Sequence, residues 1–142
     1  MTDMTGGTRT GVNWWAIGLW VAQLLLVVAF GGAGIMKLTQ PMAQLASMGM
    51  GFVTATPEWL VRFIGVCEVA GALAMMLPPL TRIAPFLTPL AALGFAVIQV
   101  LAIGVHASRG ETAMTLPINI VLLALALLVF WGRWRKAPFT PR

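Results

Sequence analysis

Three stretches of this chain, residues 14–36, 83–105 and 112–132, run for 23, 23 and 21 residues without a formal charge. A fourth, 59–77, is broken only by Arg62 and Glu68. A helix rises about 1.5 Å per residue, so each run can cross a hydrocarbon core of roughly 30 Å. Of the 142 residues only 9% are charged, against about 25% in a typical soluble domain. Too few polar side chains remain to coat a water-facing surface, which excludes a soluble globular domain, a disordered chain and a collagen-like chain. The expectation is an all-α polytopic membrane protein: a four-transmembrane-helix bundle in one domain, with the lipid bilayer as its first partner.

Proline and capping residues refine the spans to about 14–36, 59–77, 86–106 and 115–132, with tails at 1–13 and 137–142. Thr56 is placed to cap the second helix, with Pro57 at its first position and Glu58 in its first turn. Pro78-Pro79 is expected to end that helix, and Thr115 and Pro117 to mark the start of the fourth. The first run is long for a secretory signal core and Arg9 is the one basic residue before it, so it is expected to remain as a span. Residues 38–58 form the longest connection. Met42, Leu45 and Met48 recur there every three residues, which predicts either a short helix lying as a lid in the interface or an irregular loop.

The net charge of +5 does not point to nucleic acid, because the basic residues stand at the ends of apolar runs, where lipid headgroups lie. Arg9, Arg82, Arg133, Arg135, Lys136 and Arg142 fall on one side; Lys37, Arg62 and Arg109 fall on the other. This asymmetry predicts a plasma-membrane protein with both termini cytoplasmic. Trp14, Trp15, Trp131 and Trp134 would form one aromatic belt and Trp59 part of the other. The single Cys67 excludes an internal disulfide.

Ionisable and amide groups within spans are costly and usually face the bundle interior. Those in this chain gather in one half of the membrane. Lys37, Arg62, His106 and Asn119 are predicted at the mouth of a polar funnel, with Glu68 and Gln99 at its floor. Glu68 has three prospective partners, Lys37, Arg62 and Gln99, and serves either as helix glue or as a proton or ligand site. His106 is an interfacial histidine or a second site residue. Asn119 bonds a neighbouring helix or a ligand, and Arg62 snorkels or joins the funnel. Gly65, Gly71 and Ala72 flank Glu68, and Gly31-Gly32-Ala33-Gly34 precedes Lys37; such small residues admit a close helix or leave room for a ligand. Met36, Met42, Met48 and Met50 invite a copper(I) site, but thioethers are also common apolar filler, and no metal is expected. Nucleotide, zinc-hydrolase and serine-hydrolase motifs are absent.

These residues resemble the DoxX-like group of small four-helix bacterial membrane proteins. The likeness is carried by Gly34-Ile35-Met36-Lys37-Leu38 with Pro41, by Arg62-Phe63-Ile64-Gly65-Val66-Cys67-Glu68-Val69-Ala70-Gly71 with Leu77-Pro78, and by His106 with Arg109-Gly110-Glu111. It spans about residues 15–135. The resemblance implies a bundle in the bacterial plasma membrane, beside quinone-linked sulfur oxidation and other redox or detoxification systems. At the level of architecture it extends to sterol-binding and sterol-isomerising bundles.

Three functions follow as expectations. In the first, Lys37, Arg62, Gln99 and Asn119 bind a quinone or other apolar small molecule, and the protein serves a membrane redox complex. In the second, Glu68 and His106 are the catalytic pair of an isomerase-type enzyme acting on a lipid-soluble substrate. In the third, the chain is a structural or transport homo-oligomer. The first is favoured, because the residues support a pocket better than they support any chemistry.

Overall fold

The computed structural model describes residues 11–142, and Arg9, which weighed in the orientation argument, lies outside them. Among the described residues the chain is helical without strands: α1 (Trp14–Thr39), α2 (Met42–Ser47), a 3-10 turn (Gly51–Ala55), α3 (Glu58–Thr81), α4 (Leu87–Ser108) and α5 (Thr112–Arg135). The four long helices are each long and apolar enough to cross a membrane. They form a ring in the order α1, α3, α4, α5, with α5 closing on α1. Large apolar side chains cover the outside, from Val28 and Phe63 to Leu101 and Met114. A helix apolar on every side suits a lipid surround.

The sequence makes α1 and α3 pack closely. A side-chain carbon added at Gly34 would lie 2.9 Å from the Gly65 carbonyl oxygen, and one at Gly65 would lie 3.0 Å from the Gly34 carbonyl oxygen. Only paired glycines allow two backbones this near. One turn and a half further along α3, Gly71 seats the ring of Phe95 from α4. Phe95 in turn stacks on Phe30 of α1, with centroids 4.0 Å apart and planes 4° from parallel. This aromatic layer joins three helices across the middle of the bundle. Beyond it, Leu26, Met75, Ala92, Ala126 and Val129 complete an apolar core.

Two proline expectations are corrected. Helix α3 does not end at Pro78-Pro79 but runs through both to Thr81. Each proline removes a backbone donor, which frees the carbonyls of Ala74 and Met75 four residues earlier. Neighbouring helices supply replacements. Gln23 of α1 donates its Nε2 hydrogen to the Met75 oxygen at 3.1 Å, and the Thr88 hydroxyl of α4 reaches the Ala74 oxygen at 3.5 Å. Helix α5 likewise begins at Thr112, ahead of Pro117. Its first turn is held by the Glu111 carbonyl, which accepts from the Thr115 backbone and hydroxyl. At the start of α3, Pro57 occupies the cap position, and the Thr56 hydroxyl instead donates back to the Phe52 carbonyl at 2.8 Å.

The connection between α1 and α3 is an ordered lid. Leu45, Val53 and Val61 are buried together, with Met36, Met42, Met50 and Phe52 packed around them. Met48 is not part of this stripe, being 51% exposed. The helix ends at Ser47, and the chain turns so that Met50 takes the inward place. Met36, Met42 and Met50 all pack against the apolar core of the lid.

A substitution follows from the glycine contact. Gly34→Leu is expected to lower stability by about 1–3 kcal/mol or more, the usual cost of overpacking. Gly32→Leu, where nothing lies within 4 Å, should leave the thermal midpoint in detergent unchanged. Equal midpoints for both variants would show that the α1–α3 approach is not tight.

Candidate functional site

Helix geometry brings two of the buried charges, Lys37 and Glu68, together. A side chain leans toward the N-terminus of its own helix. Helices α1 and α3 run in opposite directions, so Lys37 leans into the bundle and Glu68 leans back to meet it. The Gly34–Gly65 approach sets Lys37 level with Gly65, one turn from Glu68. Lys37 Nζ donates to both Glu68 oxygens, at 2.9 and 2.8 Å. The pair is 6% and 3% exposed. Of the three partners open to Glu68 in the sequence, Lys37 is the one it has.

Arg62 is drawn elsewhere. Its Nη1 donates to the backbone carbonyls of Lys37 and Gln40, the latter at 2.8 Å, and its Nη2 meets Glu58 at 2.8 Å. A helix leaves its last carbonyls without internal partners. Arg62 satisfies one of those of α1, at Lys37, together with the carbonyl of the cap residue Gln40, and so fixes the turn that carries Lys37. It does not line the cavity described next, which corrects its expected place at the mouth of the funnel.

Beside the ion pair lies a cavity of about 320 Å³ reached by all four long helices. Phe30, Ala33 and Lys37 line it from α1, Leu60, Ile64 and Glu68 from α3, Gln99, Ala102 and His106 from α4, and Asn119 and Leu122 from α5. Phe52 and Thr56 close it from the lid side. Five of the six polar residues singled out in the sequence therefore meet at one space. Because α5 starts at Thr112, Asn119 lies seven residues in, about 10 Å along the helix and deeper than a residue at the mouth.

The walls of this cavity differ in their hydrogen bonding. Lys37 and Glu68 are satisfied by each other. Opposite them on α4 and α5, Gln99 and Asn119 are 5% and 7% exposed, and Gln99 Oε1 and Asn119 Nδ2 are buried without a partner. Most buried polar atoms in proteins are paired, so two orphans lining one cavity need an explanation.

At the mouth, the α4–α5 connection forms a clasp. His106 Nδ1 lies 3.0 Å from Glu111 Oε2, and Arg109 Nε donates to Glu111 Oε1 at 2.8 Å. A carboxylate only accepts, so Nδ1 carries the hydrogen and Nε2 is the free ring nitrogen. The hydrogen bond from His106, then that from Arg109, hold the Glu111 carboxyl below its ordinary value. The lid rests against this clasp: a side-chain carbon at Gly51 would sit 3.3 Å from both Arg109 Nη2 and Glu111 Oε1. The sequence reading missed Glu111 as the partner of His106, although the spacing of five residues across Gly110 was visible.

The opposite end holds a second polar group that the sequence reading placed among headgroups. Arg133 is 3% exposed. Its Nε donates to Gln23 Oε1 at 2.5 Å and its Nη1 to the Ala137 carbonyl at 3.1 Å. The guanidinium carbon lies 4.0 Å from the Phe139 ring centre and 5.6 Å from that of Trp20. The sequence signal was Gln23, an amide in the middle of an uncharged run.

The profile of the DoxX-like family matches residues 21–129, which take in all of α3 and α4, most of α1 and α5, and every residue lining the cavity. The chain belongs to the DoxX-like family. No curated protein and no solved structure matches it.

Two outcomes test this geometry. Lys37→Met strands a buried carboxylate and is expected to cost about 3–5 kcal/mol, whereas a matched apolar pair at both positions should recover most of that loss. Denaturant unfolding of Lys37→Met beside Lys37→Met/Glu68→Met reads the difference. The second concerns Glu111. A carboxyl with a lowered folded pKa contributes stability that is complete above its ordinary value, 4.5, and is lost as the pH falls through the folded value. The protection of residues 109–113 against hydrogen exchange, measured relative to the intrinsic rate at each pH, should therefore fall below pH 4.5, and Glu111→Gln should remove the dependence.

Proposed function

We propose that this DoxX-like chain holds an apolar small molecule with an oxygenated head, of the quinone class, in the cavity between its four spans, as an accessory to a membrane redox or detoxification system. The observation that carries the reading is the cavity, about 320 Å³ with mostly apolar lining and a few convergent polar groups. That is the usual composition of a small-molecule site. In this reading Gln99 and Asn119 bind the head of the ligand, Lys37 and Glu68 form the polar wall beside it, and His106 stands at the entrance. Arg62 acts by fixing Lys37 rather than by touching the ligand.

The acid/base enzyme remains the second reading, favoured by the His106–Glu111 contact at the cavity mouth. It asks more of Glu68, whose two oxygens already accept from Lys37. An oligomer or a redox complex would be assembled through the apolar outer faces. The basic residues support the bacterial plasma membrane with both termini in the cytoplasm, which puts the cavity mouth on the far side.

The test is native mass spectrometry of the full chain in mild detergent, with extraction and identification of bound molecules. The wild type is expected to retain one apolar oxygenated molecule. Ala102→Phe, which fills the cavity from its wall, should lose that molecule while keeping its thermal midpoint. Equal retention by both proteins, or a wild type free of any such molecule, would overturn the proposal.

A further inference from the structure

The seam between α3 and α4 is closed in one half of the bundle and open in the other. At Gly71 the Phe95 ring seats directly on α3, and further from the lid the Thr88 hydroxyl reaches the Ala74 carbonyl. Because α4 returns alongside α3, two turns toward the lid carry this seam to Ile64 on α3 and Ala102 on α4. Both of those line the cavity. The buried groups of α3 at this level turn to other partners: Val61 packs with the lid, Gly65 against Gly34, and Glu68 on Lys37.

Leu101 and Val105, one turn apart on α4, line the same space and are the most exposed of its lining residues, at 65% and 43%. Side chains that line a cavity and also lie open on the outside of the bundle mark where the two communicate. Leu60 and Ile64, half-buried, form the facing rim on α3. All four are apolar. Leu101 lies seven residues before the end of α4 at Ser108, about 10 Å inside the span, so the surround at this opening is lipid chain rather than water. The polar end, by contrast, is covered. Phe52 and Thr56 bound the cavity there, and the lid meets the Arg109–Glu111 clasp at Gly51. The volume of about 320 Å³ is at the small end of ligand pockets, which run from about 300 to 1,000 Å³. It has room for a head, not for a long chain.

We infer that the cavity opens sideways into the bilayer between α3 and α4, and that it takes the head of a long-chain amphiphile whose aliphatic tail leaves through that opening. The inference rests on the proposal that the cavity holds a molecule with an oxygenated head. An apolar rim receives methylene groups without leaving a polar group unpaired. The tail stays in hydrocarbon whether bound or free, so its length makes no demand on the volume of the cavity.

The experiment uses the full chain in phosphatidylcholine nanodiscs, with occupancy read by native mass spectrometry at matched mole fractions in the lipid. The probes share a head and differ in the chain: 2,3-dimethyl-1,4-naphthoquinone and 2-methyl-3-decyl-1,4-naphthoquinone. The wild type is expected to bind both to within about threefold, because lipid chains are as apolar as the rim. Val105→Trp adds bulk at the rim. It should lower occupancy by the decyl compound about tenfold, the usual scale of overpacking, and leave the dimethyl compound unchanged. Val100→Trp, exposed on the same helix but outside the cavity lining, should change neither. A photoreactive diazirine midway along the decyl chain gives an answer in the wild type that needs no variant. Its adducts should fall on Leu60, Ile64, Leu101 or Val105.

Binding of the dimethyl but not the decyl compound would show a closed cavity, overturning the inference while the cavity reading stands. Binding of neither would overturn both. Adducts confined to the lid, or to α1 and α5, would overturn the sideways route. So would a folded Val105→Trp protein that binds the decyl compound as the wild type does.

Discussion

The buried contact between Lys37 and Glu68 organises this bundle. Taking two charges out of water is expensive, and in the low-dielectric interior the cost is met only where geometry lets each satisfy the other. That geometry needs α1 and α3 to run side by side at backbone contact. Gly34 and Gly65 allow this, because a side-chain carbon on either would meet the carbonyl oxygen of the other. Arg62 then caps α1 through the carbonyls of Lys37 and Gln40, holding the turn from which the lysine reaches inward. The opposite inclination of side chains on antiparallel helices does the rest. Pair, glycines and cap form one device, and the cavity exists beside it because the charges consume each other rather than the space.

Satisfaction of backbone carbonyls also shapes the far end of the bundle, where Arg133 Nη2 alone stays buried without a partner among the described residues. Two consecutive prolines in α3 would leave carbonyls of Ala74 and Met75 without donors inside a membrane, where no water can replace them. Thr88 and Gln23 close that gap from α4 and α1. Gln23 then turns its oxygen to Arg133, so that one amide links α1, α3 and α5. The guanidinium has no carboxylate near it among the described residues and instead stacks against Phe139 and Trp20. The proline pair, read in the sequence as a stop, is thus the reason for a polar connection between three helices.

How far the residues announced all this depends on the range of each interaction. The four spans were legible, because lipid demands long uncharged runs whatever the helices do to one another. Five of the cavity residues were legible for the same reason: a polar group within a span stands out against its background. The partner of Glu68 was not, since Lys37 can reach it only where α1 packs beside α3, and the order of helices around the ring is not written in the sequence. Arg62 was misplaced because capping depends on which carbonyls end a neighbouring helix 25 residues away. Arg133 was misplaced because its position after an uncharged run looks like any headgroup anchor, while its burial is caused by Gln23 and by the segment carrying Phe139. Met48 was counted into the lid because periodicity extends past a helix end that only Gly49 hints at.

A bundle that satisfied every polar group internally would have no need of a ligand. This one satisfies its polar groups unevenly. On the α1–α3 side, where the glycines bring the backbones together, the charges are closed on each other. On the α4–α5 side, where no charge lies deep in either helix, two amides face the cavity with unused hydrogen-bonding capacity. The Phe30–Phe95 stack closes the space below, and Phe52 and Thr56 bound it on the lid side. A space with mostly apolar lining and a few polar groups discriminates among molecules by their polar end, since the apolar lining treats similar apolar bodies alike. The acidic residue most conspicuous in the sequence is thus closed on Lys37, and the unused hydrogen-bonding capacity lies on the two neutral amides.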